Sequence, residues 1–189
     1  MENNKATVEQ LEQFAKEIHK NAVAKGFWDE ERPIEHFLML VVCEVAEAVE
    51  ADRQRRRAGK LMEPSYYLSD DQNGDLLFRK EFKGTVDEEL ADVAIRLLDI
   101  NEKLELGGYN LLVTTPAGRV PWKDTTFTTL AFRLCDFITT HEKYVNERVH
   151  FSLEYVFRWA KEEGVDLLKA IEIKMAYNAT RARLHGKSY

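Results

Sequence analysis

Acidic residues three apart are common on solvated helices, where their spacing places them on neighbouring turns. Two such pairs in this chain stand in a different setting. Between Phe37 and Val49 the only charged residues are Glu44 and Glu47. At about 100° per residue, both project into a sector shared with Phe37, Leu40, Ala48 and Ala51. The surrounding run predicts a helix that is apolar on nearly every side and therefore buried. The second pair, Glu89 and Asp92, has the same spacing and again apolar flanks, Leu90-Ala91 and Val93-Ala94-Ile95. A buried carboxylate without a partner is very costly, and two of them one turn apart also repel each other. If the two helices pack side by side, four carboxylates converge and require cations. Hard oxygen ligands without His or Cys suit Mg²⁺, or Mn²⁺. A buried network of acids and arginine, using Arg96 or Arg53, meets the same demand, and the chemistry alone leaves both readings open.

The elements that would position these pairs are helical. The chain has 189 residues, enough for one domain with its own core. Apolar residues recur at helical spacing from Thr7 to about Lys25, Ile34 to Arg57, Val86 to Leu106, Glu147 to Glu163 and Asp166 to Arg183. A further helix, capped by Asp124, carries Phe127, Leu130, Ala131, Leu134, Phe137 and Ile138. Pro33 fits the first turn of the second helix, and Gly107-Gly108 ends the third. Residues 59–84 read as loop, and Leu111–Thr114 as a short extended piece or loop. The expectation is an all-α helix bundle. With 27 basic against 33 acidic residues, net −6, a protein that coats nucleic-acid polymers is not expected, since such proteins need a basic face. The longest uncharged apolar run, Phe37 to Cys43, is far below the roughly 20 residues of a membrane helix, so no membrane partner is expected. Met1-Glu2-Asn3-Asn4-Lys5 lacks a signal pattern. Cys43 and Cys135 read as two buried thiols in a reducing cytoplasm.

Glu44-x-x-Glu47 followed by Glu89-x-x-Asp92 resembles the signature of the MazG-like all-α nucleoside triphosphate pyrophosphohydrolases, a group that includes dimeric dUTPases, dCTP pyrophosphatases and phosphoribosyl-ATP pyrophosphohydrolases. Cys43 stands where that signature often has a first Glu. The segment Lys174-Met175-Ala176-Tyr177-Asn178-Ala179-Thr180-Arg181 resembles the Lys-xxx-Asn-xx-Arg helix of the same group, and His185-Gly186-Lys187 its short tail. On a helical wheel Lys174, Asn178 and Arg181 share one narrow face, suited to phosphate oxygens. The resemblance covers about residues 26–52, 85–99 and 170–187. It implies a single domain over 1–189, a four-helix core with insertions at about 54–84 and 108–160.

The activity implied is Mg²⁺-dependent cleavage of a nucleoside or deoxynucleoside triphosphate between the α- and β-phosphates, giving the monophosphate and pyrophosphate. Glu44, Glu47, Glu89 and Asp92 would be metal ligands and catalytic groups, one of them taking a proton from the attacking water. Lys174 and Arg181 would stabilise the departing pyrophosphate, and Asn178 would orient a phosphate or the sugar. Trp28 stands before the first ligand helix, where it would stack on the base or simply pack, with Phe27 and Tyr177 as competitors. A homo-oligomer, a dimer foremost, is expected. The competing reading is a catalytically silent helical module of the same fold that binds a nucleotide or a partner. A P-loop ATPase is excluded, because Gly-x-x-x-x-Gly-Lys-Ser/Thr is missing.

Overall fold

The computed structural model describes residues 7–68, 76–110, 122, 125–140 and 143–186. Their regular elements are all helical, with no strand among the described residues. In chain order the elements are α1 Val8–Ala24, α2 Ile34–Arg53, the single turn α3 Pro64–Tyr67, a π turn Phe78–Phe82, α4 Val86–Lys103, α5 Phe127–Thr139, α6 Val145–Glu162, α7 Leu167–Thr180 and a 3₁₀ turn Arg183–Gly186. Several starts follow from side-chain caps that satisfy a free backbone N–H. Thr7 accepts from Gln10 N, Thr85 from Glu88 N, Thr126 from Thr129 N and Asp166 from Lys169 N. The cap of α5 is thus Thr126; the expected cap Asp124, like Leu111–Thr114 and Lys187, lies outside the described residues.

The central element is α4, which packs against α1, α2, α6 and α7. Val86, Leu90, Ala94, Leu97 and Leu98 are completely buried. The segment expected to be an insertion at 108–160 supplies two helices to this core. α5 lies on α2 and α6 on α4, joined around the buried Trp159, whose ring centre is 4.5 Å from that of Phe127. Buried Arg148 donates from Nε to the Ile138 carbonyl at 2.8 Å, filling one of the acceptors freed at the end of α5.

Two expectations are corrected here. α2 is not buried on nearly every side. Leu38, Val41, Glu44, Val45, Ala48 and Ala51 are buried, but Met39 is 55% exposed, and Cys43, Ala46 and Glu47 are exposed as well. Its apolar outer surface continues onto α5 at Phe132, which is 73% exposed. Consequently Cys43 is not a buried thiol, and Cys135 is only half-buried.

Candidate metal and phosphate site

Three consecutive acids open α4 where the helix dipole favours negative charge, and each is directed differently. Asp87 accepts from Ala58 N at 2.9 Å. Glu88 accepts from Gly84 N and forms an ion pair with Lys174. Glu89 points toward Glu44 and Glu47 of α2, and carboxylate oxygens of the three lie within 4.8 Å of one another. The helices are antiparallel: Glu47 meets Glu89, Glu44 lies beside Asp92, and one level further Phe37 and Asp99 both contact Trp28. Each step toward the start of α2 is matched by a step toward the end of α4.

The charges in this group are unequally compensated. Glu44, buried, receives Arg96 Nε at 2.6 Å, so the acid–arginine pairing anticipated for Arg96 is present. Arg53 instead pairs with Glu50 at the helix surface. Asp92 pairs with Lys174 Nζ at 2.6 Å. Lys174 is 5% exposed. Burial works against its charge, but Asp92 and Glu88 outweigh burial and raise its pKa. Glu89 has no such cation. It is 6% exposed, and its Oε2 is buried without a hydrogen-bond partner. Burial, then the charges of Asp92 and Glu88, push its pKa up to about 9. At neutral pH it therefore holds a proton unless a cation replaces it.

These groups line one cavity of about 750 Å³. Its opposite wall comes from α7 and the tail. Asn178 is buried with Oδ1 unpartnered, and His185 Nε2 is likewise buried and unpartnered. The expected helical face of Lys174, Asn178 and Arg181 is not formed as such, because α7 stops at Thr180. Lys25 Nζ donates to the Ala179 carbonyl at 2.9 Å and to that of Arg181, capping the helix end, while Arg181 turns to extended backbone with ψ 154°. Arg181 still lines the cavity and donates to the His185 carbonyl at 3.2 Å. The tail passes the end of α1 at Gly26, whose φ of +82° and bare Cα admit the Arg183 side chain; a Cβ there would lie 2.8 Å from Arg183 Nε. Leu184 N donates to the Lys25 carbonyl at 2.8 Å, and Arg183 pairs with Asp29 at 2.6 Å. His185 packs edge-on to Phe27, ring centres 5.0 Å apart. Burial, with Arg181 and Lys174, lowers the His185 pKa to about 3.

Trp28 sits one layer behind the cavity wall. Its Nε1 donates to both oxygens of Asp99 at 3.1 Å, one face stacks on Phe37 at 4.1 Å, and Lys103 Nζ lies 5.3 Å from the ring centre. The aromatic surfaces presented to the cavity include Phe27, Phe37 and Tyr177, the last with one face covered by Phe78 at 3.8 Å. Sequence reasoning placed Lys174 on phosphate, whereas it lies inside the acid cluster. It did not single out Glu88, Asp99 or His19, the last of which contacts Asp99 Oδ1 at 2.7 Å, and it named His185 only as part of the short tail. The signal for Asp99 was available: it follows Asp92 by seven residues and so shares its face.

Comparison with protein-family models, with curated proteins and with solved structures finds no match in any of the three.

Proposed function

We propose that the chain is a Mg²⁺-dependent nucleoside triphosphate pyrophosphohydrolase of the MazG-like kind, cleaving between the α- and β-phosphates. The observation that carries this reading is the uncompensated half of the acid cluster: Glu47 and the partnerless Glu89, beside Glu44, in a cavity walled on the other side by Arg181, Asn178 and His185. Glu44, Glu47 and Glu89 would hold Mg²⁺, with Asp92 as the fourth acid, and the bound ion would supply neutralisation of phosphate charge and a water of lowered pKa. Burial raises the pKa of both Glu44 and Glu89; whichever acid of the set keeps an oxygen off the ion would take the proton of the attacking water. Arg181 would donate to phosphate oxygens, and His185 lines the same cavity. Lys174 fixes Glu88 and Asp92 and keeps the cluster's net charge low enough to fold.

A silent binding module is favoured by one observation, that Lys174 already serves as an internal cation for two of the acids. The readings separate in one assay. Purified protein with Mg²⁺ is expected to convert a nucleoside triphosphate to monophosphate and pyrophosphate, and Glu47→Gln, at an exposed position, to abolish turnover with helix content unchanged. Equal rates in EDTA, or in Glu47→Gln, exclude the metal mechanism. The reading includes a homodimer, supported by the exposed apolar surface of Met39, Ala46 and Phe132. Sedimentation is expected to give twice the chain mass, reduced to one by Phe132→Asp.

A further inference from the structure

The cavity extends beyond the acid cluster along α2 and α4 to a second level formed by Phe37 and Asp99. Asp99 follows Asp92 by two helical turns, a rise of about 10 Å, the scale that separates the α-phosphate of a nucleotide from the far edge of its base. Phe37 precedes Glu44 by the same interval on the facing helix. Its ring is backed by Trp28, stacked at 4.1 Å and 22°, so it stands as a rigid platform for a flat ring.

Asp99 is held from behind. Trp28 Nε1 is equidistant, 3.1 Å, from both carboxylate oxygens, which places it between them, and His19 Nδ1 lies 2.7 Å from Oδ1. Neither Trp28 nor His19 lines the cavity, whereas Asp99 does, with 16% of its side chain exposed. Burial works against the charge of Asp99, while the hydrogen bonds from His19 and Trp28 favour it; as a carboxylate it only accepts, with about four lone-pair directions. The two donors use the inner pair and one outer position, which leaves the outer side of Oδ2. We infer that this level is a nucleobase subsite, and that Asp99 Oδ2 selects bases carrying an exocyclic amino group, as adenine, cytosine and guanine do, over their deaminated counterparts. This inference rests on the pyrophosphohydrolase reading of the neighbouring cluster. An amino N–H meets the remaining acceptor. The carbonyl that replaces it in uracil or hypoxanthine sets oxygen against oxygen in a desolvated site, with neither group able to donate. The enzyme then acts on nucleotides whose base carries an amino group and spares their deaminated counterparts.

The test compares kcat/KM for CTP against UTP and for ATP against ITP with Mg²⁺. Each pair shares its sugar and triphosphate, so the metal site cancels. The amino-bearing member is expected to be favoured at least about tenfold, the factor equal to one hydrogen bond of about 1.4 kcal/mol. In Asp99→Asn, whose amide can both donate and accept, that ratio is expected to fall toward one or reverse while the CD spectrum is retained. Equal kcat/KM within both pairs, or an unchanged ratio in Asp99→Asn, overturns the inference. Dissociation constants of the α,β-imido analogues of the same four nucleotides give the ratio without turnover. If no nucleotide is cleaved, the hydrolase reading fails by itself, while equal affinity of amino and deaminated analogues removes the base subsite.

Discussion

Two groups of carboxylates face each other across one narrow space and are treated differently by the fold. Glu88 and Asp92 share the buried ammonium of Lys174, and Glu44 has the Arg96 guanidinium. Glu47 and Glu89, on the same two helices and less than one turn away, form no ion pair among the described residues, and the charge of Lys174 only partly offsets the burial of Glu89. Burial alone does not explain the contrast, since Glu88 and Glu89 are both almost fully buried. What differs is direction. Glu88 turns toward α7, which carries Lys174, and Glu89 turns toward α2, which answers only with further acids. A structural ion-pair network would have paired both. The contrast shows that the chain stabilises one half of the cluster with its own charge and leaves buried Glu89 in the other half holding a proton unless a cation takes its place.

The largest expected effect breaks the open half. Glu89→Gln should lower kcat by on the order of 10³-fold yet raise stability above neutral pH, because the amide has no charge to bury. A stability loss instead would mean that Glu89 is paired. Removing the cation of the closed half should do the opposite. Lys174→Met leaves Glu88 and Asp92 buried without compensation and should cost about 3–5 kcal/mol of unfolding free energy, read by urea titration. Restoring most of that loss with the double variant Lys174→Met, Glu88→Gln would confirm the origin of the cost.

A smaller effect comes from pH. The Glu89 pKa is raised in the folded protein from 4.5 to about 9, so the folded state holds a proton that the unfolded chain releases. Its contribution to stability is full below about pH 4.5 and is lost as pH rises toward 9. Mg²⁺ should flatten that decline, and metal binding between these limits should release a proton, measurable by calorimetry in buffers of different ionisation enthalpy. The smallest effect concerns the tail. His185, lowered to about 3, remains neutral when folded while the unfolded chain protonates below about 6.5. Stability should therefore fall as pH drops from 6.5 toward 3, and His185→Asn should remove that part of the acid sensitivity.

The helices and the two acid pairs were legible in the sequence because each rests on local spacing. An apolar run interrupted only by Glu44 and Glu47 announces where those carboxylates must go. The division of labour within the cluster was not legible, because it depends on how α7 docks. Lys174 reads as a phosphate ligand until the structure shows it between Glu88 and Asp92. Arg181 reads as part of a helical face until Lys25, distant in sequence, caps the helix one residue earlier. Trp28 reads as a ring that either stacks on a base or simply packs, and the structure packs it, with Asp99 at its N–H and Phe37 in front of it. The outer surface of α2 was misjudged for a related reason: hydrophobicity marks a surface that avoids water without indicating what covers it.

The most direct test of the central claim is the identity of the first products when the protein meets a nucleoside triphosphate, resolved by ³¹P NMR with Mg²⁺ and again with EDTA. Monophosphate and pyrophosphate formed together, only with the metal present and not by Glu89→Gln, is the expected result. Diphosphate with orthophosphate as first products, or cleavage that continues in EDTA, would contradict it.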